Sequence, residues 1–355
     1  MIEKIFLSGV RALPEFEREF APGITVVCGK NGCGKTTLLE AVFLLCQGYS
    51  FRARELKGLV CWGSESAILR GSLRHEGEAS ERALAITGAS VVAKKDGGQC
   101  RSQAAFFGKF PAVTMQPSDI ELVRGAPELR RRWMDEILCF ISPVNADLLR
   151  RYKRVLAQRG EWLRQNKLGT APALEIFQVL SSQLASLGAK IWTARLALAA
   201  RAGELVSKYY ERLSLSADSV STTYKTSAKE GEDLEAAFLA LLDERREAEF
   251  RLAQTLVGPH KDDFVIWSSG YEMRSVGSQG QCRTCAIAMR LAAADLARSG
   301  NVPPILLLDD IWAELDSGRR SAVAAIIREK ECQVMVATPR SEDLPFTPDD
   351  VIKLG

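Results

Sequence analysis

The chain has 355 residues, of which 46% are hydrophobic and 26% charged, and its net charge is +3. These values are ordinary for a globular protein, and the length suffices for two domains with a large core. No apolar stretch approaches the roughly 20 residues that cross a bilayer, and the first residues lack a signal-peptide pattern. The nine cysteines have no framework spacing. We therefore expect a cytoplasmic protein with no membrane partner.

The amino-terminal part alternates short β-like runs with turns and carries a phosphate-loop motif. Residues 29–36 read Gly-Lys-Asn-Gly-Cys-Gly-Lys-Thr and fit G-x-x-x-x-G-K-[ST] at every fixed position. The strand predicted at 24–28 and the helix predicted at 37–45 supply the context that this motif requires. Further strands are predicted at 5–7, 67–73, 83–86 and 112–115.

The phosphate loop is expected to bind ATP through its backbone. Its glycines let the main-chain N–H groups point at phosphate oxygens, and the following helix adds its positive end. Lys35 can reach the β- and γ-phosphates and act in catalysis, and the Thr36 hydroxyl can bind Mg²⁺. Cys33 is either an oxidation-sensitive thiol or merely a small residue that fits. The residues expected to contact ATP here are Gly29, Lys30, Asn31, Gly32, Cys33, Gly34, Lys35, Thr36 and Thr37.

The middle of the chain is helical and basic. Between 127 and 253, apolar residues recur at spacings of three and four, which predicts helices. One long helix is predicted over 174–210 with an interruption near Gly188, and another over 233–252. From Arg124 to Lys167 there are eleven Lys or Arg residues but five Asp or Glu. This excess indicates either a polyanion partner such as nucleic acid or solvated helix faces.

The carboxyl-terminal part returns to an α/β pattern and supplies two acids. An apolar run at 305–308 predicts a central strand that ends in Asp309 and Asp310. Because ligands of such sheets lie at the carboxyl ends of strands, we expect Asp309 to bind Mg²⁺ beside the phosphate loop. Asp310 is placed to orient or deprotonate the attacking water. The alternative is that one of the two acids merely caps the next helix.

A polar turn precedes the helix predicted at 281–297. The turn consists of Ser278, Gln279, Gly280 and Gln281, and it offers a hydroxyl and a helix N-terminus to a phosphate, although an ordinary helix cap has the same pattern. It resembles the signature motif of ABC-type ATPases, which implies that it covers the ATP of a second copy. The same resemblance implies that residues 313–316 cross the dimer interface and that Gln116 senses the γ-phosphate. Thr338 and Pro339 stand where transporters carry a switch histidine, so rapid hydrolysis is not expected.

Five ordered stretches then resemble the RecF family of SMC- and Rad50-related ATPases. The first is Ser50-Phe51-Arg52, and the second is residues 117–135, which include Arg130, Arg131 and Arg132. The third is residues 258–263, with the sequence Gly-Pro-His-Lys-Asp-Asp, and the fourth is the turn 278–281. The fifth is Asp309-Asp310 together with residues 314–316. The resemblance implies a cytoplasmic ATP- and Mg²⁺-binding protein that dimerises on ATP and clamps double-stranded or gapped DNA. It implies the partners RecR and RecO, loading of the RecA recombinase, slow DNA-stimulated ATP hydrolysis, and roles in DNA repair, recombination, replication and the SOS response.

The resulting fold prediction is α/β: an ABC-ATPase-like head, with a phosphate-loop core and mixed sheets, and an inserted helical lobe II or arm. Residues 1–126 and 256–355 form the head, with the signature region at 275–297 packing towards the arm of residues 127–255. We expect six basic residues to contact DNA phosphates, although Arg130–Arg132 could instead hold the two lobes together by pairing with acids. The six are Arg130, Arg131, Arg150, Arg151, Lys153 and Arg154.

Three alternative functions stay open. Another SMC- or Rad50-like ATPase of chromosome maintenance shares the motifs, but the insert is short for a long coiled coil. An ABC transporter subunit conflicts with the basic insert and the missing histidine. An enzyme acting on a small phosphorylated substrate predicts an active monomer. His260, Asp262 and Asp263 could suggest a metal site, but we expect a structural corner before a strand.

Overall fold

The computed structural model describes residues 1–53, 55–88, 90–101, 103–106, 110–166, 174–214, 218–229, 231–298 and 302–355. The strands, in chain order, are β1 (Ile2–Val10), β2 (Leu13–Glu19), β3 (Ile24–Gly29), β4 (Ser66–His75), β5 (Glu78–Thr87), β6 (Val91–Lys95), β7 (Gly98–Gln99), β8 (Ala112–Met115), β9 (Val220–Lys225), β10 (Asp263–Ser268), β11 (Tyr271–Glu272), β12 (Ile305–Asp309), β13 (Val334–Thr338) and β14 (Asp350–Leu354). The helices are α1 (Lys35–Gln47), α2 (Glu121–Arg124), α3 (Pro127–Ile141), α4 (Pro143–Gln165), α5 (Leu174–Ser214), α6 (Leu234–Glu244), α7 (Arg246–Leu252), α8 (Met273–Val276), α9 (Gln279–Ala297) and α10 (Ser317–Glu329).

A parallel sheet joins the two ends of the chain. Its order is β14-β3-β13-β12-β8, and every adjacent pair runs parallel. Strands β3, β12 and β13 are almost continuously apolar and buried, as expected for a sheet that is covered on both faces. Because all five strands run the same way, the residues that follow β3, β8, β12 and β13 meet at one edge.

The two faces of this sheet bury two different cores. Val27, Leu307 and Met335 pack with α1 and the antiparallel sheet β2-β1-β4-β5-β6-β7. Val26 and Leu308, on the opposite face, pack with α3, α5, α9 and α10. The alternation follows from the two-residue period of a strand. The expected α/β fold, with parallel and antiparallel sheets and a helical arm, is therefore confirmed.

The arm has its own apolar core between α4, α5 and α6. Helix α5 runs unbroken through 41 residues, so the predicted interruption near Gly188 is wrong. A Cβ on Gly188 would lie 2.3 Å from Cε1 of Phe238, which shows that this glycine permits close packing of α6 rather than breaking α5. The single helix predicted over 233–252 is also wrong, since Arg245 separates α6 from α7.

A small sheet links the arm to the carboxyl-terminal part of the chain. Strand β9 pairs antiparallel with β10, which pairs with β11. The domain boundary predicted at 256 falls between β9 and β10, and the division of the chain into two domains stays a prediction. No helix in the described part of the chain combines the length and apolar character needed to span a bilayer.

Candidate functional site

The phosphate loop connects β3 to α1 through glycines in the left-handed region. Gly29 has φ 154° and Gly34 has φ 108°. A Cβ on Gly29 would lie 2.3 Å from the carbonyl oxygen of Leu354, and one on Gly34 would lie 2.7 Å from Cδ2 of Leu13. Neither position therefore accepts a side chain, and the loop curls tightly over the N-terminus of α1, as anion binding by backbone N–H groups requires.

Lys35 and Thr36 begin α1 at the centre of this loop. The Lys35 Nζ donates to the carbonyl oxygens of Gly29 at 2.8 Å and Lys30 at 3.0 Å, so the ammonium group lies within the loop. The Thr36 hydroxyl donates to Oδ1 of Asp309 at 2.9 Å. The structure thus brings the phosphate loop and the acid at the end of β12 together across the sheet edge. A hydroxyl beside a carboxylate is the oxygen donor set that Mg²⁺ uses in nucleotide sites.

Asp309 and Asp310 lie side by side at the carboxyl end of β12. Burial raises the pKa of Asp309, Asp310 raises it further, and the hydrogen bond from Thr36 opposes both. Burial also raises the pKa of Asp310, against the opposing charge of Lys35. The helix-cap alternative is wrong, because the side chain of Asp316 caps α10 by accepting from the Arg319 N–H. Both carboxylates are therefore available to the site.

Gln116 lies at the same edge. Met115, the last residue of β8, pairs with Leu308, so Gln116, which follows it, lies beside Asp309. The backbone N–H of Gln116 donates to Oδ2 of Asp119 at 2.8 Å. The other oxygen of Asp119 accepts from Nη2 of Arg290, on α9, at 2.6 Å. The loop that carries Gln116 is thus connected to the helix that follows the signature-like turn.

The signature-like turn forms a reciprocal cap on α9. The Ser278 hydroxyl accepts from the Gln281 N–H at 3.2 Å, and the Gln281 Oε1 accepts from the Ser278 N–H at 2.9 Å. Ser278 and Gln279 are exposed, and Gly280 is half-buried beside Arg319. The interpretation of this turn as a helix cap is therefore confirmed. The turn also presents the N-terminus of α9 to solvent.

Arg52 lies near the two acids, and the sequence predicted no role for it in the site. Its charge lowers the pKa of Asp309, so the exposed guanidinium lies within electrostatic reach of the predicted Mg²⁺ ligand. The Ser50 hydroxyl accepts from the Arg52 N–H at 2.9 Å and donates to the fully buried Glu40. The only sequence signal was the Ser50-Phe51-Arg52 stretch, which does not reveal that Asp309 is nearby.

The predicted DNA contacts divide into two groups. Arg130 is 2% exposed, and its guanidinium donates to both carboxylate oxygens of Asp263 at 2.7 and 3.0 Å and to three backbone carbonyls. The prediction that Arg130 contacts DNA is therefore corrected: it connects α3 to β10 and cannot reach a phosphate. Arg131 is half-buried and donates to the Asp262 carbonyl at 2.7 Å. Four candidates on α4 are exposed: Arg150, Arg151, Lys153 and Arg154.

Residues 258–263 form a corner in which Gly258, Pro259 and Asp262 are buried. His260 contacts the Tyr152 hydroxyl at 2.8 Å, and Asp262 accepts from Trp192 Nε1 at 2.8 Å. Burial lowers the pKa of His260 to about 4. Among the described residues, no group of three or more His, Cys, Asp and Glu side chains is arranged to hold a metal ion. The hydrogen bonds of His260 and Asp262 support the interpretation of this segment as a structural corner.

Comparison with known proteins gives a consistent result. The family described as RecF/RecN/SMC N terminal domain matches residues 1–353. The chain is 35% identical over 322 residues to "DNA replication and repair protein RecF" of Synechococcus sp. (strain JA-3-3Ab), covering 88% of this chain and 84% of that protein. It is 34% identical over 346 residues to the protein of that name from Geobacter metallireducens, covering 95% and 92%.

Solved structures show the same relationship. The recombination mediator protein RecF with ATP, of the RecFOR pathway, superposes with a TM-score of 0.90 at 27% identity, covering 99% of this chain and 95% of that one. The Smc head domain of Pyrococcus furiosus gives a TM-score of 0.60 at 16% identity, covering 99% and 92%. The similarity to the Smc head domain confirms the predicted head-like fold. Taken with the sequence relatives, the match to the RecF structure establishes that the chain belongs to the RecF family.

Proposed function

We propose that this chain is an ATP-binding recombination mediator that dimerises on ATP and clamps DNA. The observation that carries the proposal is the hydrogen bond between Thr36 and Asp309, which joins a phosphate loop to the acids of a distant strand in a RecF-family chain. The relative whose structure contains ATP covers nearly the whole chain, and the loop, the lysine and the oxygen pair all fit a Mg²⁺-nucleotide.

In the proposed site, backbone N–H groups of residues 29–37 hold the triphosphate, and Lys35 contacts its β- and γ-phosphates. Thr36 and Asp309 would hold Mg²⁺, which would neutralise phosphate charge. Asp310 orients or deprotonates the attacking water, and Gln116, which follows β8, contacts the γ-phosphate. An aspartate at position 310 reaches one methylene less far than a glutamate, which favours slow hydrolysis. The ATPase activity would then serve as a weak, DNA-stimulated switch that releases the protein.

The exposed signature-like turn supports the proposal that the protein dimerises. Residues 278–281 present a serine and a helix N-terminus to solvent, which is a favourable surface for a phosphate anion. We propose that this turn covers the triphosphate held by the phosphate loop of a second copy. Each copy would then complete the other's site, and ATP would control the assembly of the homodimer.

DNA binding is assigned to the exposed face of α4. Arg150, Arg151, Lys153 and Arg154 project from this helix, and contacts between such residues and phosphates give affinity with little sequence specificity. We propose double-stranded or gapped DNA as the ligand and RecR and RecO as partners that act with it to load the RecA recombinase. In this role the protein would act in DNA repair and replication restart in the cytoplasm, including during the SOS response.

Sedimentation velocity with and without ATP, in the presence and absence of a duplex that carries a single-stranded gap, tests the proposal. We expect a monomer without ATP, a dimer with ATP, and co-sedimentation of DNA with the dimer. A protein that binds ATP but stays monomeric with and without DNA would contradict it. That result would favour the small-substrate enzyme as the alternative.

A further inference from the structure

A cleft opens between α3 and α4, which follow one another in the chain. Its volume is about 650 Å³, within the range of roughly 300–1,000 Å³ that is typical of ligand pockets. Side chains at helical spacing on α3 and on α4 line it, together with Ile191 of α5 and Pro259 of the corner 258–263. We call this space the α3–α4 cleft. Neither the phosphate loop nor the signature-like turn contributes to its lining, so it is not part of the ATP site.

The interior of the α3–α4 cleft is apolar. Its lining includes Cys139 and Phe140 of α3, Leu149 and Leu156 of α4, and Ile191 of α5. Leu156 is only partly buried, whereas the other four belong to the apolar cores. A cleft with these walls leaves hydrophobic surface in contact with water. Covering that surface with an apolar group of a ligand is therefore favourable.

The charged side chains of the cleft leave an excess of positive charge. Five Arg or Lys side chains and three Asp or Glu side chains line it. Two of the acids are paired within the protein, Asp135 with a guanidinium of α5 at 2.7 Å and Glu136 with one of α9 at 3.5 Å. The third, Glu128, is exposed at the start of α3. Arg131 donates to a backbone carbonyl, and Lys153 is exposed on α4, so both cations keep charge for an anionic ligand.

The Tyr and Phe rings of the cleft are poorly placed to stack on a nucleobase. The guanidinium of Arg132 lies over the Tyr49 ring, 5.5 Å from its centroid, and Phe43 packs against the same ring. Tyr152 is 3% exposed and Phe140 is 5% exposed. Because single-stranded nucleic acid binds largely by stacking its bases on open aromatic rings, the cleft favours a different ligand. An apolar peptide side chain needs only the aliphatic walls.

We propose that the α3–α4 cleft binds a peptide segment of a partner protein in which an apolar side chain stands beside several carboxylates. The apolar side chain enters the cleft and packs on Leu149, Leu156 and Ile191. The carboxylates meet Arg131 and Lys153 at the same site, where charge-assisted hydrogen bonds add to the apolar contact. The peptide is thus recognised by the combination of an apolar anchor and negative charge.

Peptide and DNA should exclude each other at α4. Arg150 and Lys153 line the cleft, and both belong to the exposed face of α4 to which DNA binding is assigned. A bound acidic peptide therefore occupies or neutralises cations that would contact phosphates. The exclusion rests on the proposed function, whereas peptide binding itself does not and is measured without DNA.

The test begins with a phage-displayed library of random peptides, selected on the parent protein. A selected peptide is synthesised with a fluorescein label, and its affinity is measured by anisotropy for the parent and for Ala146→Trp. Ala146 lines the cleft and is half-buried, so an indole at this position fills the cleft without removing a core side chain. The matched control is Ala240→Trp, at an exposed position of α6 outside the cleft. Thermal melting and a fluorescent-ATP titration show that each variant is folded.

We expect the selected peptides to combine Asp or Glu with Leu, Ile, Met or Phe. Affinity should fall at least about tenfold in Ala146→Trp and stay at the parent value in Ala240→Trp. A second variant, Lys153→Glu, should weaken binding of the acidic peptide and favour a version in which lysines replace its acids. The peptide should lower the affinity of the parent for duplex DNA but not that of Ala146→Trp.

The absence of enriched peptides, enriched peptides that lack acids, or equal peptide affinity of Ala146→Trp and the parent would each overturn the inference. A fluorescein-labelled oligothymidylate whose binding is abolished by Ala146→Trp would assign the cleft to single-stranded nucleic acid and overturn it as well. Peptide binding that leaves DNA affinity unchanged would overturn the exclusion. A parent that binds the peptide but neither dimerises with ATP nor binds DNA would remove the proposed function and leave the peptide site intact.

Discussion

Replacement of Arg130 by alanine separates a structural role from a DNA-binding role for this residue. The guanidinium is buried and forms two hydrogen bonds to Asp263 and three to backbone carbonyls between Leu122 and Gly125. Removing one partner of a buried ion pair leaves an uncompensated charge and costs about 3–5 kcal/mol. The carbonyls also lose their donor, which adds to the loss. We therefore expect Arg130→Ala to lower the free energy of unfolding by at least about 3 kcal/mol.

Urea denaturation followed by circular dichroism measures this loss, and a filter-binding assay measures DNA affinity below the unfolding transition. Arg151→Ala is the matched control, because Arg151 is exposed on α4 and its removal should leave stability within about 0.5 kcal/mol of the parent. The two variants should show opposite patterns: Arg130→Ala loses stability and keeps DNA affinity, and Arg151→Ala does the reverse. Parent-like stability in Arg130→Ala together with weakened DNA binding would refute the reasoning.

Three further predictions concern the site, the DNA and pH. Lys35→Ala should abolish ATP binding in a fluorescent-ATP titration while the unfolding midpoint without nucleotide stays near that of the parent; parent-like binding would contradict the assigned role. Arg151→Ala should reduce the slope of log affinity for DNA against log salt by about 1, and an unchanged slope would exclude this contact. Because the folded pKa of His260 is about 4 and the unfolded value about 6.5, the unfolded state binds the proton first as pH falls. The free energy of unfolding should therefore drop by roughly 3 kcal/mol from pH 6.5 to 4. In His260→Gln, the free energy of unfolding, measured by urea denaturation at each pH, should change less over this range; the same pH dependence as the parent would disprove the role of His260.

The sequence predicted best those features that depend on neighbouring residues. The phosphate loop follows from glycine spacing and from the strand and helix on either side of it. The acids after β12 follow from an apolar run that ends in charge. Each pattern fixes its own local geometry, and the rule that parallel strands end at one edge predicts that the two meet.

Features that depend on distant partners could not be predicted. Gly188 looked like a helix breaker because its reason for being glycine is Phe238, which packs against it from another helix. The sequence left Arg130 as either a DNA contact or a link that pairs with acids, because its partner Asp263 lies 133 positions away. The effect of Arg52 on Asp309 likewise depends on the fold that joins the two ends of the chain. Charge and composition indicate that such residues matter but do not identify what they contact.

The most direct measurement of the two-copy site is a mixing experiment with Lys35→Ala and Ser278→Arg. Alone, the first should fail to hold ATP and the second should hold it without dimerising, since the larger side chain blocks the partner's triphosphate. A mixed dimer contains one intact site, formed by the phosphate loop of the Ser278→Arg chain and the turn of the Lys35→Ala chain. We predict that sedimentation velocity with ATP shows a dimer only in the mixture. A Ser278→Arg protein that dimerises alone, or a mixture that stays monomeric, would contradict it.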